Sequence, residues 1–228
     1  MATALVVFDI AGTTVKDKGN VKDSFLKAFH QFGYSLPEEE VDKVMGYRKA
    51  DAIRMLLEKY YPEQKDNEML IHEIHFSFTS NMIRFYEADE ALEPLPHAIE
   101  TFQQLKNNRI KIALNTGFTK PITNAILNRI GWQDSPLIDY VISSDEVPQG
   151  RPHPYMIHQI KKVLGIKESA SIVKVGDTEV DITEGRNAGC GLVISVTTGA
   201  YSREQLQTYQ PDFIIDSLAE LPALIEKN

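Results

Sequence analysis

Four short apolar runs of this sequence each end close to a polar residue that could do chemistry: Asp9, Thr116, Arg151 and Asp177. Carboxylates are hard oxygen ligands that suit magnesium, so Asp9 and Asp177 are candidate ligands of Mg²⁺. An aspartate can also act as a nucleophile. A hydroxyl and a guanidinium group bind phosphoryl oxygens. The combination predicts phosphoryl transfer, which depends mainly on positioning and on neutralising charge.

The residues beside these four extend the predicted phosphate site. Thr116, the backbone N–H of Gly117 and the cation of Arg151 are suited to hold three phosphoryl oxygens. The loop amides that follow Asp9, including that of Ala11, would add further donors. Asp9 would then attack phosphorus and form an aspartyl-phosphate.

The elements that must position these residues are buried strands. The runs are rich in Val and Ile and are continuous rather than alternating, which is typical of a parallel sheet covered on both faces. Helical patterns lie between most of them, and one ends at Gly131. We therefore predict a doubly wound α/β sheet, whose ligands bind at the carboxyl ends of the strands. The predicted strands are Leu5 to Asp9, Lys111 to Asn115, Tyr140 to Ser144, Ser171 to Gly176, Leu192 to Val196 and Phe213 to Ile215.

One long segment interrupts this alternation. Between about Lys16 and Glu90 there are amphipathic helical patterns and no strand-like run, and the segment is too long for a simple crossover. We predict that residues 17–92 form an inserted α-helical cap domain and that residues 1–16 and 93–228 form the core. The proline-bearing stretch Glu93 to Pro96 is suited to a hinge.

Composition excludes several classes of function. The net charge is −8, and no cluster of Lys and Arg is longer than a pair, so neither a nucleic-acid partner nor a membrane surface is expected. The single cysteine, Cys190, excludes an internal disulfide and suits the reducing cytoplasm. The N-terminal stretch has no basic region before its apolar run, so we expect neither a signal peptide nor a membrane span.

The motifs "DIAGTT", "NTGF", "GRPHP" and "GDTEVDITEGRNAG" resemble, in order and across essentially the whole chain, the four motifs of the haloacid dehalogenase superfamily. The resemblance implies that Asp9 is the nucleophile and that Thr116 and Arg151 bind the phosphoryl group. It also implies a magnesium cofactor, with ligands from Asp9, Asp177 and the backbone carbonyl of Ala11, supported by Asp181.

Ala11 departs from most phosphatases of the superfamily, which carry an aspartate there as the general acid. Together with "MGYRK" in the cap, this departure resembles the phosphonatases, which cleave a carbon–phosphorus bond in phosphonoacetaldehyde. The resemblance places Lys49 as the amine that forms an imine with the substrate aldehyde. A protonated imine is an electron sink, so carbon can leave without a general acid at position 11. Lys49 would then need a lowered pKa.

Three positions differ from the phosphonatase pattern: Ala52 replaces a histidine, Phe118 replaces a tyrosine, and Arg48 stands beside Lys49. A small helical shift would aim Arg48 at the site instead. Two alternatives therefore stay open. One is a phosphomonoesterase acting on a small sugar or acid phosphate, and the other is a catalytically degenerate protein that binds a phosphorylated ligand.

Other polar and aromatic residues have structural interpretations. Thr116 can be a helix N-cap, and Asp181 can brace the helix that follows it. His72 and His75 fit packing better than a metal site. The aromatic stripe is interpreted as cap core or as a subunit interface, through which a homodimer would pack; it consists of Phe76, Phe78, Ile83 and Phe85.

Overall fold

A central parallel sheet organises the chain, of which the computed structural model describes residues 2–227. The strand order is β3-β2-β1-β4-β5-β6, and every neighbouring pair is parallel. In this order, successive strands are added first on one side of β1 and then on the other, which defines a doubly wound sheet. The sequence predicts a sheet of this kind. The strands are β1 Leu5–Phe8, β2 Lys111–Thr116, β3 Tyr140–Ser143, β4 Ile172–Gly176, β5 Leu192–Val196 and β6 Phe213–Ile215.

Strand β1 explains why the apolar runs are continuous. All four of its residues are buried, because its alternate side chains enter two different apolar clusters. Val6 and Phe8 pack in the cluster that includes Phe102. Leu5 and Val7 pack on the other face, with residues such as Ile157. Helices therefore cover both faces, and the carboxyl ends of the strands form the edge at which Asp9 and Asp177 lie.

Ten α-helices lie in the described residues, and they fill the gaps that the sequence pattern predicts. Gly131 has φ +73° just after α6, which confirms it as a helix stop. Asp9, Ser144 and Ser171 fall outside the strands predicted for them: Asp9 directly follows β1, and Ser144 and Ser171 lie in short 3₁₀ helices. The helices are α1 Asn20–Gln31, α2 Glu38–Asp42, α3 Lys49–Tyr60, α4 Glu68–Ala88, α5 Ala98–Asn107, α6 Lys120–Arg129, α7 Tyr155–Val163, α8 Glu179–Asn187, α9 Arg203–Thr208 and α10 Leu221–Lys227.

Helices α1 to α4 all lie between β1 and β2, where the sequence predicts a cap. The chain leaves and re-enters the sheet at one place. There the N–H of Lys16 donates to the carbonyl of Glu93 at 3.2 Å, and the N–H of Leu95 donates to the carbonyl of Thr14 at 2.8 Å. The predicted boundaries, 17 and 92, lie beside this crossing. The division into two domains stays a prediction, because α4 also packs on α6 of the sheet layer.

The predicted aromatic stripe does not share one environment. Phe78 is fully buried and contacts Phe25, with ring centroids 4.6 Å apart. Phe76 is 67% exposed, so it does not belong to the core of the helical segment. Among residues 2–227, no helix is long and apolar enough to cross a membrane.

Candidate active site

Asp9 lies at the centre of the sheet edge, one residue beyond β1. Its N–H donates to the carbonyl of Val175 at 2.9 Å, which extends the pairing with β4 and holds the carboxylate at the strand end. One oxygen, Oδ1, lies 2.7 Å from Nη2 of Arg151. Burial raises the pKa of Asp9 above its ordinary value, against the opposing charges of Arg151 and Lys174. The carboxylate is thus desolvated but faces a fixed cation.

Arg151 is a buried cation and not a surface charge. Its side chain is enclosed, and its guanidinium nitrogens contact three carboxylates: Asp9 at 2.7 Å, Asp181 at 2.9 Å and Glu184 at 3.4 Å. These contacts outweigh the effect of burial and keep the pKa of Arg151 above its ordinary value. A rigid guanidinium with fixed donors suits a phosphoryl group that develops charge.

Three buried residues that the sequence pattern did not single out, Asn115, Lys174 and Glu184, form a polar network beside Arg151. Asn115 accepts from Arg151 Nη2 at 3.1 Å and from Lys174 Nζ at 2.9 Å through Oδ1, while its amide donates to both oxygens of Glu184. The available signal was Lys174, a charged residue inside the apolar run "IVKVG". A lysine buried in a strand has to be paired, and its partners mark a polar network.

Asp177 follows β4 and faces the loop after Asp9. Its Oδ1 accepts from the hydroxyl of Thr13 at 3.0 Å, and its Oδ2 accepts from the N–H of Ala200 at 2.7 Å. A Cβ at Gly199 would lie 1.9 Å from Oδ2, so only glycine leaves room for this carboxylate. Burial, together with the charges of Asp9 and Asp181, raises the pKa of Asp177 well above its ordinary value.

Asp181 braces both the network and helix α8. Its Oδ2 accepts from the hydroxyl of Thr178 at 2.6 Å, and its Oδ1 lies 2.8 Å from Lys174 Nζ and 2.9 Å from Arg151. Burial alone would raise the pKa of Asp181, but these two cations hold it at about 2. The helix-bracing interpretation is confirmed by the capping box at Thr178.

The oxygen donors at this edge fit a divalent cation better than any soft metal. Asp9 and Asp177 are buried carboxylates that repel each other, and Ala11 lies in the same cavity wall. Hard oxygen ligands suit Mg²⁺, which keeps several waters and needs only one or two carboxylates. Within residues 2–227 no three acidic, histidine or cysteine side chains group closely enough to hold a metal alone. A cation here would therefore depend on water and backbone oxygens as well.

Thr116 ends β2, and its environment excludes the interpretation as a helix N-cap. The N-cap of α6 is Thr119, three residues later. The hydroxyl of Thr116 accepts from the N–H of Phe118 at 3.2 Å. A Cβ at Gly117 would lie 2.5 Å from the carbonyl oxygens of Gly46 and Tyr47, so this loop lies directly beneath the helical segment.

The turn after Asp9 is closed by local hydrogen bonds. Gly12 has φ +84°, and its N–H donates to the carbonyl of Val15 at 2.8 Å. The hydroxyl of Thr14 donates to the carbonyl of Asp9 at 3.0 Å. Ala11 contributes only a methyl group and backbone atoms to the wall of the cavity. Position 11 therefore provides no acidic side chain.

Lys49, and not Arg48, lies over the site. Lys49 is the first residue of α3 and is 3% exposed. Its Nζ lies between two rings, 5.6 Å from the centroid of Phe25 and 5.1 Å from that of Phe118. Burial lowers the pKa of Lys49 to about 8. Arg48 turns away and donates to the carbonyl of Pro148 at 3.1 Å.

One small cavity joins these groups. Its volume is about 30 Å³, which is room for on the order of two water molecules. A ligand larger than that does not fit the cavity in this arrangement of the chain. Ala52 is buried among apolar residues and adds no polar group. The residues that line the cavity include Asp9, Ala11, Asp17, Lys49, Thr116, Gly117, Phe118 and Asp177.

The comparisons with known proteins agree with this geometry. The sequence model of the haloacid dehalogenase-like hydrolase family matches residues 6–195. The chain therefore belongs to the haloacid dehalogenase-like hydrolases and is a hydrolase of that family.

Curated relatives of the chain include phosphonoacetaldehyde hydrolases. The chain is 32% identical over 221 residues to phosphonoacetaldehyde hydrolase of Bacillus cereus (strain B4264), across 91% of this chain and 82% of the relative. It is 34% identical over 197 residues to a bifunctional phosphonoacetaldehyde hydrolase/aminoethylphosphonate transaminase of Clostridioides difficile (strain 630). That match covers 81% of this chain but only 30% of the length of the bifunctional protein.

Solved structures share the fold. A phosphonoacetaldehyde hydrolase-like protein from Oleispira antarctica superposes with a TM-score of 0.85 at 23% identity, over 100% of this chain and 92% of that chain. A hydrolase from Pseudomonas syringae gives a TM-score of 0.85 at 15% identity, over 99% of both chains. At these identities the likeness establishes the fold of the chain and nothing finer.

Proposed function

We propose that this protein is a magnesium-dependent hydrolase that cleaves the carbon–phosphorus bond of phosphonoacetaldehyde, with Asp9 as nucleophile and Lys49 as the imine-forming amine. The observation that carries the proposal is a buried lysine in the same cavity as the buried aspartate. An amine with a pKa of about 8 is substantially neutral at mildly alkaline pH, and only the neutral amine attacks a carbonyl carbon.

The proposed roles follow from the contacts. Thr116, the N–H of Gly117 and Arg151 hold the phosphoryl oxygens at the strand ends. Asp9 and Asp177, with the carbonyl of Ala11, would hold Mg²⁺, and the cation would neutralise phosphoryl charge when bound. Burial places all these charges where each interaction is stronger than in water.

The reaction divides between Lys49 and Asp9. The neutral amine adds to the aldehyde carbon, and uptake of one proton with loss of water leaves a protonated imine. A carboxylate oxygen of Asp9 then attacks phosphorus while the carbon–phosphorus bond breaks. The electron pair of that bond moves into the carbon framework and gives an enamine. Water then releases phosphate from Asp9, and protonation and hydrolysis of the enamine release acetaldehyde and free Lys49.

The test measures phosphate release from phosphonoacetaldehyde and traps the imine with borohydride. We expect the native protein to release phosphate and to carry a reduced adduct on Lys49, located by peptide mass spectrometry. Lys49→Ala should release none above background and carry no adduct. Lys59→Ala is the matched control, since Lys59 lies on the same helix but is exposed and pairs with Glu40.

The same assay separates the alternatives. If phosphonoacetaldehyde is inert and no adduct forms, while aryl or alkyl phosphates are hydrolysed equally by the native protein and Lys49→Ala, the protein is a phosphomonoesterase. If no substrate is turned over but magnesium and beryllium fluoride bind at Asp9, the protein binds phosphorylated ligands without hydrolysing them.

A further inference from the structure

Asp17 is an acidic residue in the wall of the cavity that the proposed roles do not use. It lies between the turn after β1 and helix α1, and it lines the same cavity as Asp9 and Lys49. Its Oδ1 accepts from the N–H groups of Gly19 and Asn20, each at 3.0 Å. These two hydrogen bonds fix the position of the carboxyl group at the start of the helical segment.

Burial makes Asp17 easier to protonate than an ordinary aspartate. Desolvation raises the pKa of Asp17, although the backbone N–H groups and the charge of Lys49 oppose the rise. Desolvation also lowers the pKa of Lys49. In one small cavity the two side chains therefore both shift toward their neutral forms, a free amine and a carboxylic acid.

The chemistry of the amine requires such a group. Imine formation needs a proton donor to the departing oxygen, and the enamine needs a proton on carbon. The other carboxylates of the cavity are engaged differently: Asp9 faces Arg151, and Asp177 accepts a hydrogen bond on each oxygen, whereas Asp17 accepts both of its bonds on Oδ1. Ala11 and Ala52 offer no proton.

We propose that Asp17 is the catalytic acid and base that moves protons for Lys49; this inference rests on the proposed function. As the amine nitrogen adds to the aldehyde carbon, Asp17 protonates the carbonyl oxygen and recovers a proton from nitrogen. It then protonates the hydroxyl group, water leaves, and the nitrogen lone pair forms the protonated imine. Asp17 ends this half of the reaction as a carboxylate.

The second half restores the acid. After the carbon–phosphorus bond breaks, Asp17 takes one proton from water and delivers it to the enamine carbon, which regenerates the protonated imine. As carboxylate it then accepts a proton from the water that adds to that imine, and acetaldehyde leaves. Hydrolysis of the phosphorylated Asp9 releases one proton, which balances the one taken from water.

The test compares native protein, Asp17→Asn and Asp23→Asn in phosphonoacetaldehyde turnover. Asparagine can still accept the bonds from Gly19 and Asn20, so helix α1 keeps its start while the acid is lost. Asp23→Asn removes the same charge from an exposed position in the first turn of α1. We expect kcat to fall by about 10²- to 10⁴-fold in Asp17→Asn, with KM nearly unchanged, and Asp23→Asn to match the native protein.

A second measurement separates chemistry from folding. Binding of magnesium with beryllium fluoride reports the phosphoryl site at Asp9, and we expect Asp17→Asn to bind as tightly as the native protein. Turnover within threefold of native would overturn the inference, and so would loss of beryllium fluoride binding together with turnover. If the native protein itself leaves phosphonoacetaldehyde intact, the proposed function fails instead.

Discussion

At the scale of single residues, the site contains buried acidic side chains whose charges are largely balanced by buried basic ones. Seven charged side chains are buried in the described part of the chain: the acids Asp9, Asp177, Asp181 and Glu184, and the bases Lys49, Lys174 and Arg151. Four negative charges against three positive ones leave the cluster one charge negative when all are ionised. Such a cluster favours a cation before it binds an anionic substrate.

Removal of one buried base should therefore lower the stability of the protein. Lys174 is fully buried and contacts Asp181 at 2.8 Å and Glu184 at 3.7 Å. We expect Lys174→Ala to lower the free energy of unfolding by about 3–5 kcal/mol, because it leaves two carboxylates buried with one cation fewer. Urea unfolding followed by circular dichroism measures this change.

The control for Lys174→Ala is a surface pair. Lys65 and Glu58 lie 4.0 Å apart, with about half or more of each side chain exposed. Lys65→Ala should change the free energy of unfolding by less than about 1 kcal/mol. Equal effects of the two substitutions would contradict the view that the buried network is coupled.

At the scale of elements, a short segment of the helical insertion, residues 46–48, packs against three loops of the sheet layer. Three glycines at these contacts leave no room for a Cβ. An added Cβ at Gly46 would lie 2.5 Å from Thr178, and one at Gly150 would lie 2.6 Å from Arg48. One at Gly117 would lie 2.5 Å from the carbonyl oxygens of Gly46 and Tyr47. The hydroxyl of Tyr47 donates to Glu179 at 2.9 Å. Because α3 begins directly after this segment, these contacts set the position of Lys49.

Gly117→Ala tests this docking. The new Cβ would lie 2.5 Å from two carbonyl oxygens, so the Gly46–Tyr47 turn has to shift and carry Lys49 with it. A displacement of about 1 Å can cost about 10²-fold in rate, and we expect kcat for phosphonoacetaldehyde to fall by that order while the protein stays folded. Thermal melting and steady-state kinetics measure both effects.

Gly165→Ala is the comparison for Gly117→Ala. Gly165 has φ +67° and no neighbour within 4 Å of an added Cβ, so the substitution strains the backbone by about 1–2 kcal/mol without touching the site. It should lower the melting temperature slightly and leave kcat unchanged. Native-like turnover in Gly117→Ala would mean that the docked segment does not position the amine.

At the scale of the whole molecule, two layers, the helical segment and the sheet layer, together form the environment of Lys49. Phe25 comes from the segment and Phe118 from the loop after β2, and the amine lies between them. Burial between the two layers lowers the pKa of Lys49 from 10.5 to about 8, and that shift exists only in the folded molecule.

The pH dependence of the reaction follows from this shift. Only the neutral amine attacks the aldehyde, so in Asp17→Asn, where the second proposed titrating group is absent, kcat/KM should rise about tenfold per pH unit below about pH 8 and level off above it. Between about pH 8 and pH 10.5 the unfolded chain binds the proton that folded Lys49 has lost, so stability rises with pH in this interval. Steady-state kinetics across the range measures the profile, and an inflection near 10.5 would mean that the amine is solvated.

The gathering of the strand-end residues at one edge of the sheet could be predicted, because it follows from the apolar pattern of the strands and from their parallel arrangement. Continuous apolar runs indicate buried parallel strands, and the carboxyl ends of parallel strands meet at one edge. Asp9, Thr116, Arg151 and Asp177 therefore had to gather, and the structure places them together. Their catalytic roles stay predictions, as does the cytoplasmic location.

The sequence by itself thus determined the sheet, the strand-end cluster and the membership of the family, because each depends on short-range pattern. Only the tertiary structure decided that Lys49 rather than Arg48 faces Asp9, since a rotation of about 100° per residue separates neighbours on a helix. It also decided that Asp17 lines the cavity and that Asn115 contacts Glu184, 69 residues away in the chain. Contacts between distant segments depend on how whole layers pack, and local sequence does not encode that packing.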